Sequence, residues 1–231
     1  MKPALIVALD VPTIKEMEEV LGRLPDSIEW YKVGLELFCA GGPAILEPLK
    51  KRNKKIFLDL KLHDIPHTVA NAVKTAASHG VSLMTVHAIG GRAMLEAAAE
   101  AARECSNPPK LVAVTTLTSL SQEDFTDLGI TRSVSDQALA LGELAISSGI
   151  DGLVTSAHEA GALRKKFPQA LLVTPGIRMP GGDVADQKRV ATPAFAVQQG
   201  ATHLVVGRPI LQAENPSAAA AAIFADIKNA S

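Results

Sequence analysis

The chain has 231 residues, 47% of them hydrophobic and 20% charged, enough to bury a large core in one domain. Its 23 basic and 24 acidic residues leave a net charge of -1, which excludes the broad positive field that draws in nucleic acid or an anionic membrane. An anionic small molecule would have to be met by local basic groups.

From Met1 to Asp10 the apolar run is too short for a signal peptide or a membrane span. The two cysteines, Cys39 and Cys105, show neither CxxC spacing nor a metal-ligand cluster, so they read as buried spectators in a reducing compartment. A cytoplasmic protein is expected. Eight short apolar runs follow one another, at 5–9, 30–33, 55–60, 82–87, 111–115, 152–154, 171–174 and 203–206. Each leads into a helical or turn-plus-helix segment. The segments 14–24, 43–51, 68–78, 92–104, 135–148, 159–167, 193–199 and 217–227 carry Ala, Leu, Glu and Lys at helical periods and form the predicted outer ring. This alternation predicts an α/β fold, a (β/α)8 TIM barrel, with residues 1–231 as one catalytic domain. An open doubly wound sheet is the alternative topology. It is disfavoured because no G-x-G-x-x-G follows the first apolar run.

Barrel enzymes keep their sites at the carboxyl ends of the strands, so the polar residues there are the candidates. In chain order these are Asp10, then Lys32-Val33-Gly34, then the stretch 55–68, which begins as a buried strand and ends as chemistry. Ile56, Phe57, Leu58 and Leu60 read as an interior strand, interrupted by Asp59 and Lys61. Side chains alternate across a strand, so Asp59 and Lys61 share the face that Phe57 occupies below them. Asp64 adds a second carboxylate before Ile65-Pro66 turns the chain toward a new helix. A structural ion pair is the alternative reading. Burying one in a parallel strand costs desolvation that an apolar pair would avoid, which favours a functional role.

His87 closes the fourth run, and Thr115-Thr116-Leu117-Thr118 the fifth. Thr174-Pro175-Gly176-Ile177-Arg178 and Val206-Gly207-Arg208-Pro209 bring glycine, arginine and an expected helix start together on the last two units. Small glycines let the backbone approach an anion and an arginine can fork two donors onto it, which suits phosphate. The polar segment 179–189 reads as a lid, with Gln187 its best-placed neutral hydrogen-bonding side chain. None of the six histidines shows HxxEH or HExxH spacing, and none is assigned catalysis or a metal.

Asp59-Leu60-Lys61-Leu62-His63-Asp64-Ile65-Pro66 closely resembles the signature of the orotidine 5'-monophosphate decarboxylase family. The likeness extends from Ala8-Leu9-Asp10 to Val206-Gly207-Arg208-Pro209, nearly the whole chain. It implies cofactor-independent decarboxylation of orotidine 5'-monophosphate to uridine 5'-monophosphate, the last step of de novo synthesis of that nucleotide, by a homodimer with shared active sites. By the same resemblance Lys32, Asp59 and Lys61, with Asp64 from a partner subunit, form an alternating charged network, and Lys61 is the proton donor. Asp10 and Thr68 would contact the ribose, Thr118 and Ser119 the pyrimidine, and Arg178, Gln187, Gly207 and Arg208 the phosphate. Two other functions stay open. One is a metal-dependent sugar-phosphate decarboxylase or aldolase of the same barrel superfamily, which metal dependence would reveal. The other is a non-enzymatic phosphate-ligand sensor, which intact Asp59 and Lys61 argue against.

Overall fold

The computed structural model describes residues 2–179 and 190–230. Among them the eight predicted strands are present: β1 Ala4–Ala8, β2 Trp30–Gly34, β3 Lys55–Leu62, β4 Leu83–His87, β5 Lys110–Val114, β6 Gly152–Val154, β7 Leu171–Thr174 and β8 His203–Val206. All pair in parallel and in chain order, and β8 returns to β1 with Leu5 beside Leu204 and Val7 beside Val206. That last pairing closes the barrel and rules out the open sheet.

The helices are α1 Ile14–Arg23, α2 Leu35–Gly41, α3 Glu47–Lys51, α4 Pro66–Ser78, α5 Gly91–Arg103, α6 Gln122–Asp127, α7 Val134–Ser147, α8 Ala157–Lys166, α9 Pro193–Gln198, α10 Arg208–Leu211 and α11 Pro216–Asn229. Thr13, Ser121, Ser133, Thr192 and Asn215 each cap a helix by accepting a backbone N–H near its start. Two short helices, α2 and α6, were not expected; at seven and six residues they are too short for hydrophobic periodicity to register. The helix start expected at Gly207-Arg208 is that of α10. The helix of the seventh unit begins at Pro193, as expected, but among the described residues no helix starts beside Arg178, where one was also expected. Ile177 first makes a parallel bridge to Ala191. No helix among the described residues is long and apolar enough to cross a membrane.

Alternation along the strands divides the core in two. Ile6, Ala8, Phe57, Leu83, Val112, Val173 and Val205 fill the barrel interior, while Ile56, Leu58 and Leu204 belong to the larger layer under the helices. Gly152 is demanded by packing, because a Cβ there would stand 2.2 Å from the Leu171 carbonyl oxygen on the neighbouring strand. At the amino-terminal end Trp30 meets His203 edge-on at 5.4 Å, and the Lys55 ammonium lies 5.5 Å from the centre of the Trp30 ring. Burial, and secondarily the Lys55 charge, push the His203 imidazole down to about 4.

Neither cysteine is fully buried, contrary to expectation. Cys39 is exposed and Cys105 half-buried. The buried residue of α2 is Leu37, and two residues further on a helix turns about 200° away, which sends Cys39 to solvent.

Candidate active site

The carboxyl ends of the strands enclose a cavity of about 310 Å³. Its floor is the apolar interior: Ala8, Phe57, Val114, Val154, Val173 and Val205. Above this floor four charged side chains stand in a row. Lys32 Nζ lies 2.9 Å from Asp10 Oδ1 and 3.7 Å from Asp59 Oδ2. Lys61 Nζ lies 2.9 Å from Asp59 Oδ1. The signs alternate along Asp10, Lys32, Asp59 and Lys61, so each charge taken out of bulk water faces an opposite one. Two glycines make the room for this row. A Cβ on Gly34 would stand 2.9 Å from Lys32 Nζ, and one on Gly207 would stand 3.1 Å from Asp10 Oδ2.

Lys61 owes its place to a break in the β3–β4 ladder. Leu58 pairs with Met84 and Leu62 with Val86, so residues 59–61 lie opposite Thr85 alone. Lys61 takes up the slack with φ of 51°, left-handed backbone that an L residue adopts only when its surroundings hold it there. Thr85, fully buried, bonds both ends of this bulge. Its Oγ1 accepts the Lys61 backbone N–H at 2.8 Å and donates to Asp59 Oδ1 at 3.1 Å.

The opposite wall is built from Thr116, Leu117, Thr118, Ser119, Pro175, Gly176, Arg178, Gly207 and Arg208. Gly176 has φ of 76°, which favours glycine, and it turns the chain so that Arg178 reaches the rim, where its Nη1 donates to the Ile177 carbonyl at 2.9 Å. Thr116 is buried, and its hydroxyl has no hydrogen-bond partner among the described residues.

Of the residues expected from sequence, Asp10, Lys32, Asp59, Lys61, Thr118, Ser119, Arg178, Gly207 and Arg208 therefore meet around one cavity. Asp64 and Thr68 do not line it; both are exposed beyond the end of β3, and Asp64 Oδ1 accepts the Ile65 N–H at 2.7 Å. Gln187 and the lid reading of 179–189, Met179 apart, lie outside the described residues. His87 stacks on His63 with ring centres 5.4 Å apart. Burial first, then His63 and Lys61, hold its pKa below the usual range, so it is neutral at pH 7. No group of three or more His, Cys, Asp and Glu able to hold a metal occurs among the described residues.

Thr116, within the polar stretch expected after the fifth strand, lines the cavity as well. Thr85 was missed by sequence reasoning. A threonine inside an apolar run carries no signal of its own; a gap in the β3–β4 register is what singles out Thr85, and register is not local information.

The sequence profile described as "Orotidine 5'-phosphate decarboxylase / HUMPS family" matches residues 3–223. The chain is 48% identical over 226 residues to the orotidine 5'-phosphate decarboxylase of Hydrogenovibrio crunogenus, covering 97% of this chain and 96% of that one. It matches the corresponding protein of Halorhodospira halophila equally, at 48% over 226 residues and the same coverage. The crystal structure of orotidine 5'-phosphate decarboxylase from Lactobacillus acidophilus superposes with a TM-score of 0.87 at 38% identity, covering 98% of this chain and 99% of that one.

Proposed function

The chain belongs to the orotidine 5'-phosphate decarboxylase / HUMPS family, and on that footing we propose that it decarboxylates orotidine 5'-monophosphate to uridine 5'-monophosphate without a cofactor. The observation that carries this reading is the Lys61 ammonium, held 2.9 Å from Asp59 at the head of an alternating charge row. Loss of carbon dioxide breaks the bond from ring carbon C6 to the carboxylate and leaves the electron pair on C6. No neighbouring carbonyl delocalises that pair, so the protein must meet it with a fixed positive charge. Lys61 supplies that charge and then passes a proton to C6, becoming an amine that solvent reprotonates.

Asp59 sits where the departing carboxylate would lie. Its charge repels the bound carboxylate and is relieved as neutral carbon dioxide forms, which favours the transition state over the ground state. Lys32, gripped by Asp10 and Asp59, keeps Asp59 in place. Across the cavity Arg178, Gly207 and Arg208 would receive the phosphate, with Gln187 reaching it too, so that binding energy far from C6 positions the ring. Thr118 and Ser119 would meet the pyrimidine and Asp10 the ribose.

The same reading makes the working unit a homodimer in which the partner subunit supplies Asp64, while Thr68 would meet the ribose. Both are exposed and outside the chain's own cavity. Beside them on the segments leaving β2, β3 and β4 stand Leu35, Ile65 and Ile89, each more than half exposed, an apolar rim that a second copy would cover.

An ultraviolet assay on orotidine 5'-monophosphate, with and without excess chelator, tests the reading. Equal turnover in both arms is expected. Activity lost to chelator and restored by magnesium would move the chain to the metal-dependent sugar-phosphate reading, and no turnover in either arm would leave the phosphate sensor.

A further inference from the structure

We propose that Thr85 is a positioning residue that locks the geometry of the Asp59–Lys61 pair, an inference that rests on the decarboxylase reading above. The bulge between Leu58 and Leu62 leaves the Lys61 N–H with no β4 carbonyl to donate to, and Thr85 Oγ1 takes that role at 2.8 Å. A hydroxyl has one proton. Because its acceptor side faces the Lys61 N–H, that proton is directed at Asp59 Oδ1, 3.1 Å away. One oxygen atom thereby ties the carboxylate to the backbone of the residue that carries the ammonium.

The consequence falls on both partners. Asp59 Oδ1 receives Thr85 and Lys61 Nζ together, which turns Oδ2 toward Lys32 at 3.7 Å. Without the hydroxyl the carboxylate is free to rotate about its terminal torsion and to draw either ammonium out of line. The left-handed backbone of Lys61 loses its clamp at the same time, and its N–H, facing a fully buried side chain, is left unsatisfied. Thr85 does not itself line the cavity, so its influence on a bound substrate passes through Asp59 and Lys61, which do.

Thr85→Val keeps the shape and removes the hydroxyl, while Thr85→Ser keeps the hydroxyl. For the valine variant kcat should fall on the order of a hundredfold with KM within about threefold of wild type, since ring and phosphate contacts are untouched. Serine should restore kcat to within about threefold. Valine activity near wild type overturns the proposal, as does a serine variant as impaired as the valine one with both losses following thermal stability. Amide hydrogen exchange at Lys61 reads the clamp with no substrate present: it should accelerate in Thr85→Val and stay slow in Thr85→Ser. Unchanged exchange in the valine variant also overturns the proposal. An inactive wild type would sink the decarboxylase reading, while the exchange measurement would still decide whether Thr85 holds the Lys61 backbone.

Discussion

Gly34 lies so close to Lys32 that the Cβ of an alanine would stand 2.9 Å from the ammonium. With φ of -103° and ψ of -172° the position is ordinary extended backbone, so alanine meets no conformational strain there. What must yield is the tip of a flexible side chain. Gly34→Ala should therefore fold with a melting temperature within a few degrees of wild type, yet lose about tenfold or more in kcat/KM because Lys32 is pushed off Asp10 and Asp59. Steady-state kinetics beside a thermal melt measures both; full activity would mean that the exact seat of Lys32 is unimportant.

Lys61→Ala and Arg208→Ala should separate chemistry from binding. The first should lower turnover by about a thousandfold or more while a product analogue still binds. The second removes a charged hydrogen bond of about 2 kcal/mol, so substrate affinity should fall roughly thirtyfold and turnover should slow as well. Calorimetry showing that Lys61→Ala binds no nucleotide at all would make Lys61 a structural residue instead.

If the partner subunit completes each site, inactive variants should rescue one another. Mixing Lys61→Ala chains with Asp64→Ala chains under subunit exchange gives about half mixed dimers at random, each with one intact site of two. Roughly a quarter of wild-type activity should return. Verified exchange with no recovered activity would remove Asp64 from the shared site.

Acid should weaken the fold through His203. The imidazole is pushed down to about 4 in the folded protein from an ordinary 6.5, so below pH 6.5 the unfolded chain binds a proton that the folded chain refuses. Stability is thus untouched above that pH and drains away as pH falls toward 4. Between pH 7 and pH 5 the loss from this group is about 2 kcal/mol. Urea denaturation at both pH values should show wild type losing that much more than His203→Gln; equal losses would mean that the barrel end lets the charged ring reach water.

Much of the site is legible in the sequence itself because its signals are local. Asp59 and Lys61 interrupt an apolar strand two residues apart, which by itself puts both on one face, and their bulge keeps that parity. Gly207-Arg208 and Gly176-Ile177-Arg178 declare themselves by composition at strand ends, where a parallel barrel gathers its functional groups whatever the details of packing. Short helices are illegible for the opposite reason: in α6, six residues make less than two turns and cannot display a period of 3.6.

Periodicity in the sequence alone determined eight strands, the helical layer around them and the end of the barrel where chemistry belongs, since each apolar run and its flanking helix is a local pattern. Only the tertiary structure decided that β8 closes on β1, that Thr85 faces three residues of β3 at once, and that Gly34 leaves just enough space for the Lys32 ammonium. Those facts depend on register and on distances between segments far apart in the chain. Such distances are set when the core packs, by every side chain together, and no short stretch of sequence contains them.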